Sequence, residues 1–247
     1  MLLAGLLHAS WHSLVKSGDN QITTLAGMGV VAAAISAAAL PFVPFPPISV
    51  WVVIVLSVVL HVGYKICLAR AYVHGDLGQA FPLARGMVPL FAALIAFLLL
   101  RQVPSTLQCC GIGLVSGGII VIALDRIEGA TRWSLLAAAT GAGIAVAGYS
   151  VCDAYGTRLM GDWVAFTAWL VTTDSLVFLV LAALLRGNVL WIELVATKWR
   201  VLASGLLGLA SFSVLLWALS RNPVGAVSAL RETSVLFAGI IGRCCCT

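Results

Sequence analysis

Charge is scarce in this chain. Asp, Glu, Lys and Arg make up 9% of its 247 residues, against 62% hydrophobic ones. Soluble domains carry about 25% charged and about 45–50% apolar residues. The shortage excludes an ordinary soluble domain, because too few charges remain to cover so much apolar surface. Acid is scarcer than base, nine Asp and Glu against fourteen Lys and Arg, for a net charge of +5. The cations are spread through short connections and form no basic patch interleaved with aromatics, which excludes nucleic acid as a partner. Strict alternation of apolar and polar residues is missing as well, which excludes a membrane β-barrel. No glycine loop fits a phosphate, no His/Cys spacing fits a metal ion, and no nucleophile stands in register with a base. No cofactor, no metal site, no catalytic residue and no enzymatic activity are therefore expected. The seven cysteines follow no disulfide pattern; Cys67, Cys109, Cys110 and Cys152 fall in or beside apolar runs, where cysteine packs as a small apolar residue.

What the chain has is long apolar runs, each near the roughly 20 residues that cross a bilayer. Punctuation by charge, glycine and proline divides them into nine predicted spans: 2–15, 23–42, 49–72, 77–100, 107–124, 134–155, 163–185, 201–219 and 224–241. Pro44, Pro46 and Pro47 close the second, since proline cannot sit inside a regular helix. The segment 189–200, with Trp191 and Trp199, reads as interfacial. Residues 2–15 lack the basic start and cleavage pattern of a signal peptide and read as a first span. The expected class is all-α, a polytopic membrane protein.

Two of the spans carry an arginine where the bilayer should be. Leu83-Ala84-Arg85-Gly86-Met87-Val88-Pro89-Leu90-Phe91-Ala92 lies over Ala229-Leu230-Arg231-Glu232-Thr233-Ser234-Val235-Leu236-Phe237-Ala238, Arg85 on Arg231 and Leu90-Phe91-Ala92 on Leu236-Phe237-Ala238. Arginine at the centre of a membrane helix costs about 2.5–3.5 kcal/mol on insertion scales, so its repetition calls for a reason. The match predicts two copies of one unit, 1–126 and 133–247, with five spans and then four. An odd number of helices in a full unit makes the copies face opposite ways, an inverted repeat with its site at the bilayer midplane. Lys16, Arg70, Arg126, Arg132, Arg186, Lys198 and Arg200 follow the odd-numbered spans, which places those loops in the cytoplasm by the positive-inside rule.

Three stretches carry a family resemblance: His8-Ala9-Ser10-Trp11-His12-Ser13-Leu14-Val15-Lys16; Ala69-Arg70-Ala71-Tyr72-Val73-His74-Gly75-Asp76 running into Pro82-Leu83-Ala84-Arg85-Gly86; and Pro223-Val224-Gly225-Ala226-Val227-Ser228-Ala229-Leu230-Arg231-Glu232-Thr233-Ser234. In this order and spacing the chain resembles the EamA-like families of the drug/metabolite transporter superfamily. The resemblance implies ten helices in two inverted five-helix repeats, in a bacterial inner membrane, moving small metabolites such as amino acids, often outward. It implies cytoplasmic termini, at odds with the loop charges, so orientation stays open. After Gly239-Ile240-Ile241-Gly242 the chain reads Arg243-Cys244-Cys245-Cys246-Thr247, where the family continues into a tenth helix. The expectation is a second unit lacking its last span, with a degenerate, non-transporting membrane protein as the alternative. Expected partners are a small-molecule metabolite and the lipid bilayer; a homodimer is left open.

The candidate binding residues are the polar and aromatic groups set inside the spans. Arg85 lies between Pro82 and Pro89, and Pro89 cannot donate to the Arg85 carbonyl, which predicts a kink beside a cation. Arg85 reads either as a contact for a substrate carboxylate or as a snorkelling or ion-paired residue. Arg231 and Glu232 are adjacent, about 100° apart on a helix, so each is expected to find its partner elsewhere, Arg231 with Asp153 or Asp174. Gly5, His8, His12 and Lys16 mark a polar face of the first span, with Trp11 beside it. His61, Tyr64 and Lys65 do the same in the third, and Tyr149 and Asp153 lie one turn apart in the sixth. Asp174 is a coupling carboxylate or an arginine's partner. Trp11, Tyr64, Tyr149 and Trp217 are the expected aromatic walls of a site between spans one, three, four, six, eight and nine. Gly113 with Gly117, and Gly143 with Ala147, are read as small-residue pairs for close helix packing.

Overall fold

The structure, a computed structural model, describes residues 2–16, 20–74, 77–124 and 132–232, with side chains except at 2–4, 9, 12, 13, 16, 68–84, 122–124 and 132–136. Ten α-helices account for nearly all of it, and no strand occurs among the described residues: α1 (Leu2–Lys16), α2 (Gln21–Ala39), α3 (Ile48–His74), α4 (Leu77–Leu100), α5 (Thr106–Leu124), α6 (Arg132–Met160), α7 (Trp163–Arg186), α8 (Asn188–Ala196), α9 (Lys198–Arg221) and α10 (Val224–Glu232). A 3-10 turn, Leu40–Phe42, extends α2 to the prolines. Gln21–Phe42, Ile48–Cys67, Trp163–Arg186 and Lys198–Arg221 are long and apolar enough to cross a membrane. Their outer faces are apolar: Ile48, Val52, Leu184 and Leu206 are all exposed. An outward apolar face suits lipid, which no soluble surface of this extent would.

Helix ends follow local chemistry. Asn20 caps α2 by accepting from the Thr23 N–H at 3.1 Å, and Asp162 caps α7 by accepting from the N–H groups of Val164 and Ala165 at 2.8 and 3.2 Å. Each satisfies donors that an isolated helix start leaves open. Gly161 and Gly187 stand at φ +72° and +56° between α6 and α7 and after α7, where a residue without Cβ is favoured. α4 is continuous helix through Pro82 and Pro89.

Two expectations are corrected. α6 continues past residue 155 to Met160, because the polar residues that predicted its end have partners there. Thr157 Oγ1 donates to the Asp153 carbonyl at 2.9 Å, and Arg158 Nη2 donates to the carbonyls of Leu219 and Asn222 at 2.9 and 2.8 Å. Gly113 and Gly117 face open space, with nothing within 4 Å of a Cβ on either, so this pair seats no helix among the described residues. Gly143 and Ala147 are both buried. The interfacial segment is a short helix, α8, between two long ones. The last predicted span is described only as far as Glu232, and the rest of it and the chain end lie outside the described residues.

α6 lies against α3 and α4, α2 against α7 and α9, α1 against α9, and α10 against α4. The main packing therefore joins helices before residue 125 to helices after residue 131. One core cluster holds Val50, Ile54, Phe166, Leu216, Leu219 and Val224, all at 0% exposure. These come from the ends of α3, α7, α9 and α10 that lie nearest Pro44–Pro47 in the bundle, so that end is filled with side chains.

Candidate functional site

Next to this core, farther along the same helices, lies a cavity of about 150 Å³. A cavity of that size holds a benzene-sized molecule in other proteins. Its walls come from α1, α2, α3, α4, α6, α7, α9 and α10, and they are mainly apolar, with ionisable groups at a few points.

The first group is a cluster around Glu232. Arg85 on α4 is 2% exposed, and its Nη1 is 3.4 Å from Glu232 Oε1. Arg231 Nε is 3.4 Å from the same oxygen. The pairing of Arg231 with its neighbour corrects the expectation that it reaches Asp153 or Asp174. Both residues are buried, and the long guanidinium side chain reaches across the angle that separates them. Arg85 Nη2 also stands 2.5 Å from His8 Nε2. Trp11 Nε1–H donates to His8 Nδ1 at 3.2 Å, and the two rings meet edge-on, with centroids 5.0 Å apart at 89°.

The second group joins α3 to α7. Lys65 Nζ is 2.8 Å from Asp174 Oδ2, and each side chain is 16% exposed. The same ammonium sits 4.4 Å from the centroid of the Phe178 ring, a cation–π contact. One turn back on α3, His61 stacks on Tyr149 of α6 at 3.9 Å and 19°. Tyr64 meets Tyr149 edge-on at 6.1 Å, and Phe212 of α9 meets His61 at 5.7 Å.

Behind this aromatic stack, Asp153 is fully buried. Its Oδ1 accepts from Ser57 Oγ at 2.5 Å, while Oδ2 has no hydrogen-bond partner among the described residues. His61 Nδ1 is 3.0 Å from the Ser57 carbonyl. Asp153 belongs to the floor of the cavity rather than its lining. Tyr64, Lys65, Arg85, Tyr149, Arg231 and Trp11 do line it; Glu232 lies just outside as the arginines' counter-ion. Trp217 is a correction. It is 40% exposed, and its ring lies under Arg221 at 5.2 Å. Two residues after cavity-lining Leu215, it points about 200° round the helix. The side chain of His12 lies outside the described residues.

The sequence reading left out two walls. Leu25, Met28, Gly29 and Ala32 of α2, and Leu170, Val171, Ser175 and Phe178 of α7, also face the cavity. Apolar residues on a membrane helix look alike whether they face lipid or a ligand. One signal was available: Asp174 and Phe178 are four apart, and together they suit a cation such as Lys65.

A solved structure, described only as a crystal structure of a protein, aligns with 100% of this chain and 97% of its own, at a TM-score of 0.57 and 18% identity. At that identity the likeness shows the fold alone, a helical bundle matched from end to end. No family model and no curated protein matches the chain. Among the described residues, fold and site together define an all-α protein with four helices long and apolar enough to cross a membrane, around a largely apolar cavity with a few ionisable groups.

Proposed function

We propose that this chain is a multi-pass inner-membrane protein of the EamA type and a secondary transporter. It moves small metabolites such as amino acids or related compounds, chiefly outward, by rocking two inverted units, 1–126 and 133–247, about one shared cavity. The observation that carries this reading is the origin of the cavity's charges. Lys65 and Arg85 come from the first unit, Asp174, Arg231 and Glu232 from the second, and they pair across the boundary at 2.8 and 3.4 Å. Ionisable residues placed deep in membrane helices mark substrate paths more often than they serve packing.

The charge balance supports an anionic group on the cargo. Arg85 and Arg231 share one carboxylate, Glu232, and Arg231 Nη2 is buried with no hydrogen-bond partner among the described residues. A guanidinium with a free donor is suited to a carboxylate. The apolar core at the Pro44–Pro47 end supports a state closed on that side, which the rocking motion would open.

Flux in proteoliposomes tests the reading. The protein should give saturable flux of at least one member of a labelled amino-acid panel, and Arg231→Gln should lower it at least tenfold while remaining monodisperse. No flux for any compound with folded protein would overturn transport. Unchanged flux in the variant would overturn the role of Arg231.

A further inference from the structure

The Lys65–Asp174 pair differs from the arginine cluster in one respect: it is a complete ammonium site whose ammonium is tethered to the protein. Asp174 and Phe178 lie one turn apart on α7 and both face the cavity. A carboxylate beside an aromatic face is the chemistry that selects ammonium groups, through charge on one side and the ring quadrupole on the other. Lys65 Nζ fills that cradle, 2.8 Å from Asp174 Oδ2 and 4.4 Å from the ring centroid. Yet the cradle is not saturated. Among the described residues Asp174 Oδ1 is buried and has no hydrogen-bond partner, an acceptor unmet at the edge of a cavity large enough for a small organic molecule. Lys65 is also easy to move: it is a point charge on a flexible four-carbon stem, without the planar fork that holds arginine in place. The other cations at the cavity, Arg85 and Arg231, are engaged with Glu232.

We propose that Asp174 and Phe178 form an ammonium-binding subsite that Lys65 occupies in this structure as a tethered competitor, and that the amino group of a cationic or zwitterionic ligand binds by displacing it. This names a recognition element within the cavity proposed for transport and rests on that reading for its use, although binding itself does not require transport. Displacement also breaks the ion pair between α3 and α7, so occupancy loosens one contact between the two halves of the chain.

The test is calorimetric titration of the purified full chain in detergent micelles with n-butylamine, and with n-butanol as its uncharged isostere. The wild type should bind the amine and not the alcohol. Lys65→Gln, which removes the competitor but keeps the volume, should bind the amine at least tenfold more tightly. Adding Asp174→Asn to that variant should abolish the preference for amine over alcohol. Equal amine affinity in wild type and K65Q, or equal binding of amine and alcohol by K65Q, overturns the subsite. Should K65Q fail to fold, Phe178→Leu in the otherwise native chain reads the same cradle: amine affinity should fall at least threefold, and unchanged affinity overturns the proposal. Flux measured in parallel separates the two readings. Transport without amine binding overturns the subsite alone, and amine binding without flux of any compound overturns transport and leaves the subsite standing.

Discussion

Glu232 Oε1 stands 3.4 Å from Arg85 Nη1, although 147 positions separate the two residues in the chain. Both side chains are almost wholly buried, and Arg231 Nε is 3.4 Å from the same oxygen. One buried carboxylate thus answers two buried guanidiniums.

Glu232→Gln should therefore be among the most damaging substitutions in the chain. Removing the anion leaves two buried cations uncompensated, and breaking a buried pair costs about 3–5 kcal/mol. Thermal unfolding in detergent should show a large loss for E232Q. Arg85→Gln should cost less, because Arg231 still neutralises Glu232, and the double variant should recover part of the E232Q loss. Additive losses would sink the shared-counter-ion account.

Ser57 and Asp153 make a second buried contact, at 2.5 Å. Ser57→Ala leaves the Asp153 carboxyl with neither oxygen bonded to another side chain, at a cost of about 1–3 kcal/mol. Asp153→Asn keeps an acceptor for the serine hydroxyl and should cost less than S57A. The reverse order in unfolding measurements would mean that Asp153 depends on a partner other than Ser57.

Two glycine-to-alanine changes should diverge. A Cβ on Gly156 would collide with the Phe166 ring, which is fully buried in the main core; overpacking of this kind costs about 1–3 kcal/mol. Gly117 has open space around it, and alanine there should stabilise α5 by up to about 1 kcal/mol through helix propensity. Midpoints of unfolding for G156A and G117A on opposite sides of the wild type are the expected result.

Glu193 on α8 accepts from Thr23 Oγ1 at 2.5 Å and from Arg186 Nη2 at 2.7 Å. These two donors, Thr23 first, hold its carboxyl below the ordinary glutamate value. A group lowered on folding stabilises the fold above its unfolded pKa, and that contribution is lost as pH falls through the lowered folded value. Acidification below the ordinary glutamate range should loosen α8 from α2 and α7, seen as a change in emission from Trp191. Glu193→Gln should remove that pH step; a step of the same size in E193Q would assign it to another group.

The limits of the helices were legible because apolar length, proline and capping residues act locally. Predicted and observed starts of the third, fourth, fifth and seventh helices agree within a residue or so. α6 runs five residues past its predicted end: Arg158, a charge that reads as the end of an apolar span, finds the carbonyls of Leu219 and Asn222 at the end of α9, which no local pattern shows. Trp217 is expected as an aromatic wall, but its direction depends on which face of α9 turns inward, and it is 40% exposed. Arg231 was expected to look past Glu232, since a helix separates neighbours by 100°. Its Nε instead stands 3.4 Å from Glu232 Oε1, with both side chains buried.

The sequence by itself determined that this chain is helical, that several of its helices suit a membrane, and that arginines and histidines inside apolar runs must be answered by something. Those conclusions rest on composition and spacing, which do not depend on how helices pack. Which charges meet was decided by tertiary structure alone. Lys65 finds Asp174 across 109 positions, and Arg85 finds Glu232 from the other half of the chain, because helix packing sets distances that no local pattern encodes.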